Sequence, residues 1–200
     1  MSAMHSALAP KLSSRQVQSV AAIVYPDEAY PDVFFETLVN RCRKLGLSLA
    51  GVLQHRACDG GDRRCHVLLE DLTTGHRTAL FENRGPGASG CRLDQAALAE
   101  ATARVEGSLE NVPQLLVLNK FGKVECEGRG LRDLIASATD RGIPVIIGVP
   151  GRNLDAWRNF AGEFSTELPD DAGHVTKWFE GVVVRRSQQN PSAETLPQDL

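Results

Sequence analysis

The chain has 200 residues, 42% of them hydrophobic and 24% charged, with a formal net charge of -3. That is enough chain to bury a real core, and the slight acidity argues against nucleic acid, which recruits a basic face. No apolar run reaches the roughly 18–20 residues that span a bilayer.

Residues 1–17 are polar and unpatterned and read as an N-terminal tail. They lack the continuous apolar core of a secretory signal, so a cytoplasmic protein is expected. "SVAAIVY" (19–25) reads as a buried strand. The following helix, 31–45, places Val33, Phe34, Leu38, Cys42 and Leu45 on one stripe, with Pro31 in its first turn and Gly46 as its stop. "LSLAGVLQH" (47–55) is a second strand. From Cys65 to Asn83, two β-rich runs flank "TTGH" and predict an antiparallel hairpin.

A glycine-rich loop, "RGPGASGCR" (84–92), comes next, and Asp94 is placed to cap a helix at 95–109. "QLLVLNK" (114–120) is the third core strand. A helix near 129–141, a strand over 143–149, a helix over 153–161 and a final helix over 171–183 complete the core. In the last helix Val175, Trp178 and Phe179 are expected to face inward. Residues 184–200 read as a second tail, leaving one domain over 18–183. Alternating strands and helices predict a three-layer α/β fold, a mainly parallel sheet with the hairpin added antiparallel at one edge.

Ligands of such sheets sit beyond the carboxyl ends of the strands. After the first strand, a phosphate cradle of the type G-x-x-x-x-G-K-[ST] would offer backbone N–H groups and a lysine. Here Pro26, Pro31, Asp32 and Val33 hold those places, and Asp27 and Glu28 add acid. Carboxylate and polyphosphate at contact range repel by several kcal/mol at an effective dielectric of about 20, which argues against a standard cradle. A solvated turn and a cation-binding or partner-facing loop both remain open for this stretch.

The glycine-rich loop is the next candidate. Gly87, Ser89 and Gly90 free its backbone to curve round an anion, while Arg84 and Arg92 flank it and a helix begins nearby. A plain structural loop fits the same residues, and Asp94 competes for the same N–H groups. At the tip of the third strand, Asn119, Lys120 and Lys123 suit an oxyanion or a base. They do not chelate magnesium as paired carboxylates do.

Five cysteines, at 42, 58, 65, 91 and 126, are odd in number and scattered, which fits reduced thiols. The spacing of Cys58, Cys65 and His66 departs from ordinary zinc motifs, and an incidental cluster or a soft-metal site fits it. Cys91 sits beside Arg92 without a histidine partner in sequence, which gives little ground for a catalytic thiol.

The run "VLLEDLTTG", a glycine-rich loop and "LLVLNKFGK" together resemble the small thermophile-type P-loop nucleoside-triphosphatases. Those enzymes carry an acidic pair where Asn119-Lys120 stands here, so the resemblance is one of layout. "RGPGASGCRLD", "LNKFGKVECEGRGLR", "GIPVIIGV" and "AWRNFAG" are similar to signature blocks of an uncharacterised bacterial family of unknown function, often encoded near molybdate-transport genes. The likeness spans about 19–180 and implies a P-loop-NTPase-like fold without bringing an activity.

Together these observations point to a catalytically degenerate binding or regulatory module. Arg84, Gly87, Ser89, Gly90, Arg92, Asn119, Lys120 and Lys123 would hold a nucleotide or an oxyanion such as molybdate. The molybdenum link rests on the resemblance alone. An active nucleotide hydrolase or transferase using Glu125 or Glu127 is the second expectation. A docking module without a small ligand is the third, and a homo-oligomer or a protein partner is compatible with each.

Overall fold

A computed structural model describes residues 18–27, 29, 31–56, 67–81 and 92–189. Strands β1 (Val20–Tyr25), β2 (Leu49–Arg56), β3 (Val67–Asp71), β4 (Arg77–Ala79), β5 (Leu115–Leu118), β6 (Val145–Pro150) and β7 (Ser165–Pro169) form one seven-stranded sheet in the order β4-β3-β2-β5-β6-β1-β7. Strands β1, β2, β5, β6 and β7 are parallel, whereas β3 pairs antiparallel with both β2 and β4. The expected edge hairpin is therefore present. The helices are α1 (Asp32–Lys44), α2 (Gln95–Leu109), α3 (Lys123–Cys126), α4 (Arg132–Asp140), α5 (Leu154–Ala161) and α6 (Ala172–Gln189).

Alternation along the strands sorts the core into two layers. Val20 and Ala22 of β1, Leu116 and Leu118 of β5, and Val145 and Ile147 of β6 meet α2, α4 and α5. Ala21, Ile23, Leu115, Val117 and Ile146 face α1 and α6 on the other side. The central strands are apolar on both faces because both are covered. Among the described residues no helix is long and apolar enough to cross a membrane.

The structure corrects several expectations. On α1 the buried positions are Phe35, Val39 and Cys42. Val33 is 76% exposed, and Phe34, Leu38 and Leu45 pack only at the margin. Two adjacent phenylalanines fit either of two neighbouring stripes, and packing beneath β1 and β2 selected the one through Phe35. Strand β7 was not anticipated. It is an edge strand whose residues are half-buried or exposed, so it lacks an apolar alternation. Arg158 holds Glu167 through two contacts of 2.7 and 2.8 Å there. Val175, Trp178 and Phe179 are buried as expected, but α6 continues to Gln189, past the boundary expected at 183.

A buried carboxylate fastens the hairpin to α1. Glu70 of β3 accepts hydrogen bonds from Arg43 at 3.1 Å and Arg77 at 2.9 Å, and His55 Nε2 lies 2.8 Å away. The His55 Nδ1 stands 3.3 Å from Glu36 of α1. Burial pushes the Glu70 carboxyl up, but the Arg43 and Arg77 hydrogen bonds and the nearby His55 outweigh it. The net displacement is below the ordinary value of 4.5.

At the sheet's centre, β5 and β6 approach too closely for a side chain. A Cβ on Gly148 would overlap the Asn119 carbonyl oxygen and stand 3.1 Å from the Phe35 ring. The Phe121 N–H donates to Gly148 O at 2.7 Å, which continues the contact past the end of β5.

Two outcomes follow from this packing. Gly148→Ala should destabilise the protein by about 1–3 kcal/mol in urea denaturation, because the overlapped atoms are backbone. An unchanged midpoint would contradict the close approach. Glu70 contributes stability above its unfolded pKa that is lost as pH falls through its lower folded value. Stability should therefore decline below about pH 4.5, more steeply in the wild type than in Glu70→Gln. Parallel pH profiles for the two proteins would contradict the network.

Candidate functional site

Strand β1 leads through α1 on one face to β2, while β6 leads through α5 on the opposite face to β7. A crevice therefore opens between the carboxyl ends of β1 and β6, the place where open α/β sheets bind ligands. Here it is bridged by the protein itself. Asp27 Oδ1 accepts a hydrogen bond from the backbone N–H of Arg152 at 2.6 Å, and the Arg152 guanidinium lies 3.6 Å from the same oxygen. The stretch between β1 and α1 thus sends an acid toward β6, where a phosphate cradle would present N–H groups and a lysine.

The neighbouring strand tip is shaped differently. Past β5, the chain turns through Asn119–Gly122 into α3, and Gly122, Val124 and Glu125 of this segment line a cavity of about 450 Å³. The Glu125 carboxylate organises the turn. It is 5% exposed and accepts from the Gly122 N–H at 2.8 Å and the Leu131 N–H at 3.0 Å. Gly130, at φ +70, passes so close to Glu125 Oε1 that a Cβ would overlap it. The spacing Gly122-x-x-Glu125 is that of a capping box, the sequence signal that could have revealed this role. Both oxygens accept from backbone N–H groups, so Glu125, weighed from sequence as a general base, staples the turn. Glu127 is exposed and pairs with Arg129 at 2.7 Å.

Aromatic packing holds the turn from the other side. Phe121 is fully buried, edge-on to Trp157 at 5.3 Å and stacked with Phe160 at 6.1 Å. Asn153 donates to the Phe121 carbonyl at 2.7 Å. Arg132 lies 4.1 Å above the Phe160 ring. Aromatic contacts of this geometry add about 0.5–1.5 kcal/mol each beyond burial.

Of the residues expected to bind a ligand, Asn119 and Lys120 line the cavity and Lys123 joins them. Asn119 is 3% exposed, while the Lys123 side chain is 89% exposed and lies 3.8 Å from Glu127. Arg92 is exposed and immediately precedes Leu93, another lining residue. Arg84, Gly87, Ser89 and Gly90 lie outside the described residues, as do Cys58, Cys65, His66 and Cys91. The ends of the 82–91 segment are nevertheless placed. Phe81 and Leu93 form an isolated β-bridge, Asp94 N–H donates to Leu80 O at 3.0 Å, and Leu80, Phe81 and Leu93 all line the cavity. Asp94 caps α2 as expected, accepting from Ala97 N–H at 2.9 Å.

Sequence reasoning did not find Gln54, Val52, Leu69 or Leu98, which complete the wall. They read as ordinary core positions, and only the sheet order brings them to Asn119. Among the described residues no cluster of three or more His, Cys, Asp or Glu side chains is arranged to hold a metal. Among the described residues lining the cavity, Glu125 is the one carboxylate.

Replacing Glu125 with alanine leaves one buried and one half-buried N–H group without its acceptor. A loss of about 2–4 kcal/mol is expected, since hydrogen bonds to a charged partner contribute about 1.5–3 kcal/mol each and are not additive. Glu125→Gln should recover part of it, because its amide accepts one bond and opposes the other. Stability equal to wild type in the alanine variant would remove the staple.

With this geometry in place, comparison with known proteins is informative. A family model described as a protein of unknown function (DUF2478) matches residues 20–178. A curated relative from Bradyrhizobium diazoefficiens, the molybdenum import ATP-binding protein ModC 2, is 34% identical over 177 residues. That alignment takes in 88% of this chain and 20% of the relative, so the chain spans about a fifth of the relative's length. The solution structure of a human cancer-related nucleoside triphosphatase superposes with a TM-score of 0.52 at 14% identity, covering 87% of this chain and 98% of that one. That likeness establishes the fold as P-loop-NTPase-like.

Proposed function

Since the chain belongs to the DUF2478 family, we propose that it uses a P-loop-NTPase-like fold as a binding or regulatory module for a small anionic ligand, without hydrolysing it. One observation carries the reading: Asn119 and Lys120 stand on the cavity wall at the tip of β5 while the one carboxylate among its described lining residues accepts from the backbone on both oxygens. Hydrolysis of a nucleoside triphosphate wants a cradle of N–H groups and lysine, and acids for magnesium. Asp27 paired to Arg152 opposes the first, and the β5 tip opposes the second.

The anion would sit where Asn119, Lys120 and Lys123 come together, with Arg92 at the rim. The glycine-rich residues Gly87, Ser89 and Gly90, with Arg84, are the sequence-based extension of that pocket. Nucleotide and oxyanion both belong to this class. The molybdenum-import relative and the sequence resemblance support a connection with molybdenum handling, carried out inside the cell.

Incubation with ATP or GTP and magnesium should release phosphate no faster than buffer alone. Nucleotides, phosphate or molybdate should raise the melting temperature, since a ligand that binds only the folded state stabilises it. Arg92→Ala, at an exposed position, should reduce that rise. Sustained turnover that Lys120→Ala abolishes would overturn the proposal.

A further inference from the structure

The anion-binding reading leaves the ligand's chemistry open, and the cavity narrows it. We propose that the cavity at the tip of β5 binds a phosphorylated nitrogen heterocycle of nucleotide size, with the ring inside and the phosphate at Lys120 and Lys123. This rests on the reading above and goes beyond it by setting aside a bare oxyanion as the cavity's occupant.

Volume is the first argument. At about 450 Å³ the cavity falls within the roughly 300–1,000 Å³ of small-molecule sites. A single tetrahedral oxyanion would leave most of it empty. The walls are the second. Val52, Leu69, Leu80, Phe81 and Leu98 present apolar surface, against which an oxyanion would surrender its hydration with nothing in return. A flat ring loses little on leaving water and gains contact with Phe81 and Leu98.

The buried amide is the third argument. Asn119 is 3% exposed and lines the cavity, so its carboxamide stands on a wall largely shut off from bulk water. A carboxamide offers donor and acceptor side by side. The edge of a nitrogen heterocycle presents the complementary pair, the geometry by which asparagine reads adenine. Gln54 supplies a second carboxamide on the wall. Lys123, its side chain 89% exposed, carries positive charge from the cavity wall out to solvent. This arrangement is apart from the β1–α1 stretch, where Asp27 accepts from Arg152 and none of the described residues lines the cavity.

Isothermal titration of the full chain distinguishes the outcomes. AMP and GMP should bind, adenosine and guanosine about tenfold more weakly, and phosphate and molybdate alone should fail to displace the monophosphates. A tenfold change corresponds to about 1.4 kcal/mol. Leu98→Trp fills the cavity from α2 and should weaken AMP and GMP by at least about tenfold, with an unchanged circular dichroism spectrum. Should that variant fail to fold, Lys123→Met, at an exposed site, should weaken the monophosphates while leaving the nucleosides unchanged. Molybdate or phosphate binding that Leu98→Trp leaves intact would overturn the heterocycle proposal and spare the anion reading. Absence of binding by every anion would overturn both.

Discussion

The turn after β5 is held by one carboxylate. Glu125, almost wholly buried, takes the N–H of Gly122 on one oxygen and the N–H of Leu131 on the other. Those donors bracket α3, so a single side chain closes the path from the end of β5 toward α4. Gly130 passes against the same carboxylate in a backbone region that other residues rarely adopt. The closure also engages both oxygens of the one carboxylate that lines the cavity among the described residues. The shape of the turn and the engagement of that carboxylate come from the same interaction.

A similar economy operates across the sheet edge. A nucleotide-hydrolysing protein with this strand order would set basic, N–H-rich backbone beyond β1 and acid beyond β5. Here acid lies beyond β1, where Asp27 reaches Arg152, and amide with amine lies beyond β5. The internal pair is half-exposed on both sides and contributes little stability, about 0–1 kcal/mol. Its consequence is occupancy: the crevice between β1 and β6 is crossed by the protein's own side chains. The cavity lies further along the sheet, toward β2 and the hairpin.

Much of this was legible in the sequence, for identifiable reasons. The central strands are continuous apolar runs because both of their faces are covered, and the turn residues at 73–76 marked the hairpin. Asp94 announced the start of α2. The α1 stripe was misread by one residue because Phe34 and Phe35 are interchangeable to a periodicity argument, and only packing chooses between them. Strand β7 is pinned by Arg158–Glu167 and by pairing to β1, neither of which leaves an apolar signature. At the cavity, Asn119, Lys120 and Lys123 drew attention from sequence because amide and amine at a strand tip are chemically conspicuous, whereas Gln54 did not. Its apolar walls were not, since Val52, Leu69 and Leu98 come from β2, β3 and α2, and only the strand order gathers them.

The account turns on where an anion binds. Amide NMR of the labelled protein, titrated with a nucleoside monophosphate and magnesium, reads that position residue by residue. The resonances of Asn119, Lys120, Gly122 and Lys123 should move together, while those of Asp27, Ala29 and Asp32 stay in place. Shifts concentrated in the β1–α1 stretch, with the β5 tip silent, would contradict it.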